Sequence, residues 1–167
     1  AHGGLRAAEH APRRVAARMA DLWKPSVTVA GVVARDGRYL LVEEEIEGRV
    51  VFNQPAGHWE PGETLAAACV REVLEETAHR VRATGLVGVY RWHYAPADVT
   101  FLRFAFTCEV VAVEDRPLDR EIRRAVWLAP EEVRAVQSRH RSPLVLACME
   151  DHLAGRRYPL ELLVHYD

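Results

Sequence analysis

The stretch GHWEPGETLAAACVREVLEET, residues 57–77, decides how this chain is read. Its second part, Leu65 to Thr77, has helical spacing, and Thr64 is placed to cap it. At about 100° per residue, Ala66, Val70, Val73 and Thr77 share one face, with Cys69 and Leu74 on its flanks. That face is predicted to pack on a sheet. Glu72, Glu75 and Glu76 stand at i, i+3 and i+4 and form an acidic patch elsewhere on the helix. Like charges so placed repel by about 0.2–0.5 kcal/mol per pair on an exposed helix. A cation offsets that cost. Arg71 is one candidate, with Glu63 in the preceding loop to hold it. A divalent ion is the other, since neighbouring carboxylates on a rigid helix supply oxygen ligands while water and phosphate oxygens complete the octahedron. From the acids alone, a solvated Glu-rich face is the plainer reading.

Upstream, Ser26 to Ala34 is apolar and β-branched and reads as a strand. Asp36-Gly37 is a tight-turn pair, and Tyr39 to Val42 returns as the partner strand, running on into Glu43-Glu44-Glu45. A second turn falls at Glu47-Gly48, and Val50 to Phe52 is a short strand. Asn53 to Gly62, with two prolines and two glycines, reads as loop. Downstream, Leu86 to Tyr94 and Thr100 to Val113 read as strands joined through Pro96 and Asp98. Arg124 to Leu128 is a further short strand. Pro130 to Val136 and Pro143 to Ala154 read as helices, the second with Gly155 past its end. Tyr158 to Val164 is a terminal strand or an extended segment. The fold class is α/β (α+β) in one domain over residues 22–167.

The formal net charge of -2 argues against a nucleic-acid-coating surface, and so balanced a charge steers anions weakly, so any phosphate must be held by local cations or a metal. Cys69, Cys108 and Cys148 are odd in number and widely spaced. That excludes a zinc-type CxxC pair and fits buried thiols in a reducing, cytoplasmic setting. No apolar run approaches the length of a membrane span. Residues 1–21 carry four arginines among alanines. They read as an extension without assigned function, with Met19 as the natural start; Glu9 and Pro12 weigh against a targeting peptide.

The whole string is more specific than its acids. Gly57, five residues, Glu63, seven residues, then Arg71-Glu72-Val73-Leu74-Glu75-Glu76 resembles the box of the Nudix hydrolases. Pro55-Ala56-Gly57-His58, Phe101-Leu102-Arg103-Phe104, Arg141-Ser142-Pro143-Leu144, Arg157-Tyr158-Pro159-Leu160-Glu161 and Lys24 to Ala30 together resemble the NudJ branch, a phosphatase subgroup. The likeness spans Leu22 to Glu161. It implies an α/β/α sandwich with a mixed central sheet. One departure stands out: the box normally closes on glycine and an aliphatic residue, and here Ala78 and His79 take those places. The glycine ends the helix in the left-handed region, so alanine there costs about 1 kcal/mol or the helix ends differently.

The resemblance also implies roles. Glu72, Glu75 and Glu76 are metal ligands, with the carbonyl of Ala56 or Gly57 as a further one, and the ion is Mg²⁺ with Mn²⁺ as the alternative. Glu63 and Arg71 steady the acids. Glu121 is the candidate for an additional carboxylate from outside the box, ahead of Asp119 and Glu114; a solvated loop acid is the competing reading. Glu72 and Glu121 are both open as the base. Arg103, His58, Phe52 and Tyr90 are candidate substrate contacts, and Trp59, Trp92, His93, Tyr94 and Phe104 are further aromatics on which a base or pyrimidine ring could stack, each weighed against a core or wall role. The implied activity is hydrolysis of phosphoanhydrides in nucleoside tri- and diphosphates and related pyrophosphates, hydroxymethylpyrimidine pyrophosphate among them, with release of orthophosphate. A pyrophosphate-releasing nucleotide sanitiser and a non-catalytic nucleotide-binding module are the alternatives. Partners are a small phosphorylated substrate and, at most, a second copy in a homodimer, with neither nucleic acid nor membrane.

Overall fold

A computed structural model describes residues 22–166, and the extension read at 1–21 lies outside the described residues. The strands are β1 (Ser26–Arg35), β2 (Arg38–Ile46), β3 (Arg49–Asn53), β4 (Ala56–His58), β5 (His79–Tyr94), β6 (Val99–Val113) and β7 (Ile122–Leu128). The helices are α1 (Leu65–Thr77), α2 (Pro130–Ala135) and α3 (Leu144–Leu153). The sheet is mixed. β3, β2, β1, β6 and β5 lie in that order, β4 adds to β1 and β7 adds to β2. β1 runs parallel to β6 and antiparallel to β4, so it has neighbours on both edges.

β1 explains the layering. Its β-branched residues alternate between two cores. Val29 and Val33 belong with Leu65, Ala68, Cys69 and Val73 of α1, whereas Val32 belongs with Val133 of α2 and Leu144, Val145, Cys148 and Met149 of α3. The sheet is thus covered on both faces, an α/β/α sandwich. Gly31 sits where α1 crosses closely: a Cβ there would lie 2.5 Å from Val73 Cγ2. The hairpin turns follow their chemistry. Asp36 and Gly37, and again Glu47 and Gly48, all have positive φ, the pattern of a type I′ turn.

Three expectations change. The loop after Asn53 contains β4, a three-residue strand that pairs Ala56, Gly57 and His58 with Ala30, Val29 and Thr28. Tyr158 makes only an isolated bridge to Leu86, and a 3₁₀ turn follows at Leu160–Leu162, so no terminal strand forms. The buried face of α1 is Leu65, Ala68, Cys69, Glu72, Val73, Glu76 and Thr77. Ala66, Val70 and Leu74 stand at its edge, because two acids lie on the sheet side of the helix.

Candidate active site

α1 begins where Thr64 accepts a hydrogen bond from the Ala67 N–H at 3.1 Å. It ends on Ala78, which adopts φ 58°, ψ 14° while its N–H reaches the Leu74 carbonyl. The helix therefore keeps the left-handed close without glycine, and alanine bears the strain. Between these ends, Glu72 and Glu76 face a cavity of about 530 Å³ whose wall also includes Ala56, Gly57, His58, Arg103, Asp119 and Glu121.

Gly57 brings β4 against α1. A Cβ on it would fall 2.2 Å from the Glu72 carboxyl carbon, so any other residue here would push that carboxylate aside. Next to it, the Ala56 N–H donates to Glu76 Oε2 at 2.9 Å. Burial raises the Glu72 carboxyl above its ordinary value. Burial also pushes Glu76 up to about 9, reinforced by the nearby charges of Glu44, Glu72 and Asp119. Both acids are thus costly to ionise without a cation.

Arg71 is the positive centre beside them. It grips both oxygens of Glu63, at 3.0 and 2.7 Å, and donates to Glu72 at 2.7 Å, to Glu75 at 3.1 Å and to the His58 carbonyl at 3.1 Å. Glu63 holds Arg71 and accepts from the Glu60 N–H, and it does not line the cavity. Glu75 is turned to Arg71 in the same way. With the side chains so placed, no three acidic, histidine or cysteine side chains among the described residues converge as a metal site.

The 114–121 segment closes one end. The Asp119 N–H donates to the Glu75 carbonyl at 3.0 Å and the Ile122 N–H to the Asp119 carbonyl at 2.9 Å. This turn puts Asp119, Arg120 and Glu121 on the cavity wall. Glu114 instead pairs with Arg80.

The cavity wall also carries Arg103 on β6. It is 7% exposed and, among the described residues, has no carboxylate within ion-pair distance and leaves Nε without a hydrogen-bond partner. Its Nη1 reaches Gln54 Oε1 at 3.5 Å, Cys148 stands beside it, and Gln54 is in turn fixed by donating to the Val145 carbonyl at 2.7 Å. Burial pulls the guanidinium below its ordinary value. A buried guanidinium with an open donor on a polar cavity is chemically suited to an anion.

Other candidates fall differently. His58 lines the cavity, with Nε2 3.0 Å from Ser26 Oγ. Phe52 is buried beneath Arg139 and Tyr90 donates to Asp151 at 2.8 Å; the structure places neither on the cavity wall. The aromatics that are there are Trp92 and Phe101, stacked at 5.5 Å. Glu44, Asn53 and Arg141 also line it; none is a site candidate from the sequence, although Arg141 belongs to a motif that carries the resemblance. Glu44 accepts from Arg141 at 3.2 Å and from Asn53 at 3.4 Å. A carboxylate on a strand whose neighbours Leu41 and Val42 are buried was the available signal.

Residues 22–147 match the family model of the NUDIX domain. The chain belongs to the Nudix family. It is 41% identical over 143 residues to phosphatase NudJ of Escherichia coli K12, covering 85% of this chain and 92% of that one. A Nudix hydrolase structure from Nitrosomonas europaea is 52% identical, with a TM-score of 0.84 over 86% of this chain and 98% of the other. The MutT Nudix hydrolase of Burkholderia pseudomallei, 18% identical with a TM-score of 0.67, shares the fold. This Nudix chain is therefore a hydrolase, a homologue of the NudJ phosphatase. Among the described residues no helix is long and apolar enough to cross a membrane.

Proposed function

We propose that the chain hydrolyses phosphoanhydride bonds of nucleoside tri- and diphosphates and related pyrophosphates, hydroxymethylpyrimidine pyrophosphate included, and releases orthophosphate with the help of Mg²⁺ or Mn²⁺. The observation that carries this reading is the presence of both charges on one cavity. Glu72 and Glu76 line it from α1, and Arg103, with its open Nε donor, lines it from β6.

The donor set would suit a divalent cation once Glu72 and Glu75 turned from Arg71. Glu72, Glu75 and Glu76, with the carbonyl of Ala56 or Gly57, are the oxygen donors that would hold it. Two observations support the fit: Gly57 lets backbone approach the Glu72 carboxylate, and Glu76 is held near 9 by burial and like charges that a cation would relieve. Arg71 now sits on Glu72 and Glu75, so Glu63 is the partner that retains it when those acids turn to the ion. A bound Mg²⁺ supplies charge neutralisation at phosphate oxygens and a more acidic water. The protein's own part is placement. Arg103 takes a phosphate oxygen on the cavity wall, which fixes the phosphorus relative to α1. Glu72 and Glu121 are the carboxylates at hand to accept a proton from water, and both line the cavity.

The test is a panel of nucleoside tri- and diphosphates in Mg²⁺, scored for orthophosphate against pyrophosphate. Orthophosphate from both classes supports the reading. Pyrophosphate as the main product from triphosphates would replace it with the sanitising pyrophosphatase.

A further inference from the structure

The acidic cavity does not stop at Trp92 and Arg141. A second cavity of about 580 Å³ adjoins it, and Trp92, Arg141 and Ser142 line both. The two compartments differ in chemistry. The first has Glu72, Glu76, Asp119 and Arg103. The second is walled by Pro143, Leu146 and Ala147 at the start of α3, and its one carboxylate, Glu150, is already paired with Arg134 at 2.6 Å.

The divider is built rather than loose. Trp92 stacks on Phe101 with ring planes 18° apart and has Tyr94 at 5.4 Å on the same hairpin. Arg141 donates from its side chain to Glu44 and from its backbone N–H to the Phe52 carbonyl at 2.8 Å. Ser142 is buried. A substrate whose phosphates lie in the first compartment therefore meets an aromatic face and an aliphatic wall as it extends past the divider.

We propose that this second compartment is the subsite for the organic end of the substrate, a planar, uncharged ring packed between Trp92 and Leu146. This rests on the phosphoanhydride reading above, since it is the phosphate end that fixes which way the ring points. The subsite makes Trp92 and Leu146 specificity residues. They contact the ring and leave the reacting phosphorus to the first compartment.

Adenosine diphosphate is the probe. Leu146→Trp fills the compartment, and loss of one ring contact of about 1.4 kcal/mol corresponds to about a tenfold rise in KM, with kcat changed by less than about twofold. In the metal-free protein, the adenine protons should show nuclear Overhauser contacts to the Leu146 methyls of the unsubstituted chain. Where Leu146→Trp does not fold, Ala147→Leu on the same wall carries the same test. An unchanged KM in a folded variant, or adenine contacts confined to other residues, overturns the subsite while leaving the hydrolase reading standing. Absence of any phosphate release from the panel of phosphoanhydrides overturns both.

Discussion

Gly57→Ala is the perturbation whose size follows most directly from the structure. Gly57 does not have positive φ, so the backbone itself tolerates alanine. The obstacle is Glu72, whose carboxyl carbon and oxygens would lie 2.2–2.3 Å from the new methyl. Carbon atoms in contact prefer about 3.5 Å, so the carboxylate must retreat by about 1.3 Å. It is the far end of a flexible side chain, and it can retreat by giving up its 2.7 Å bond from Arg71. Stability should therefore fall by less than about 1.5 kcal/mol. Activity should fall much further, because a displacement of about 1 Å at a reacting centre costs on the order of a hundredfold. The assay is kcat/KM in saturating Mg²⁺ beside a urea melt of the same preparation. A variant with activity within about twofold of the unsubstituted chain would refute the argument that Glu72 must stand against bare backbone.

Three further outcomes are expected. Arg103→Met keeps the aliphatic stem and removes a buried charge that makes no direct ion pair among the described residues, so the melting temperature should hold or rise while KM for a nucleoside diphosphate rises at least about tenfold. Ala78→Gly relieves about 1–2 kcal/mol of left-handed strain against about 0.4–1 kcal/mol of added unfolded-chain entropy, for a net gain of about 0–1.6 kcal/mol in a urea melt. Burial holds His140 and His152 below the ordinary imidazole value of 6.5. Their neutral rings thus favour the folded chain above that pH, and this stability is lost as pH falls through their depressed values. The drop in urea midpoint on acidification should be shallower in His152→Gln.

What could be read in advance divides along the range of the interaction. α1 and its Thr64 cap depend on residues three and four apart, and so do the Asp36-Gly37 and Glu47-Gly48 turns. β4 could not be read, because Ala56-Gly57-His58 has no periodicity of its own and becomes a strand only by pairing with β1. The orientation of α1 was off for a reason tied to function. Periodicity assigns acids to solvent, yet Glu72 and Glu76 lie on the buried side, where the site sits between helix and sheet. Trp92 is the one of the candidate aromatics that lines the cavity, whereas Glu44, Asn53 and Arg141 reach it from separate places in the chain. Only strand register and the packing of α3 bring them together. Phe52 and Tyr90 show the converse: aromatic residues in the right region of sequence whose strands point them into the core beside α3.

The central claim is that the glutamates of α1 carry metal-dependent phosphoanhydride hydrolysis. Phosphate release by Glu76→Gln in Mg²⁺ tests it most directly. Glutamine can still accept the Ala56 N–H, so the fold should survive with an unchanged melt. The rate should fall by about a thousandfold or more. A folded Glu76→Gln chain that releases phosphate at the unsubstituted rate would contradict the account.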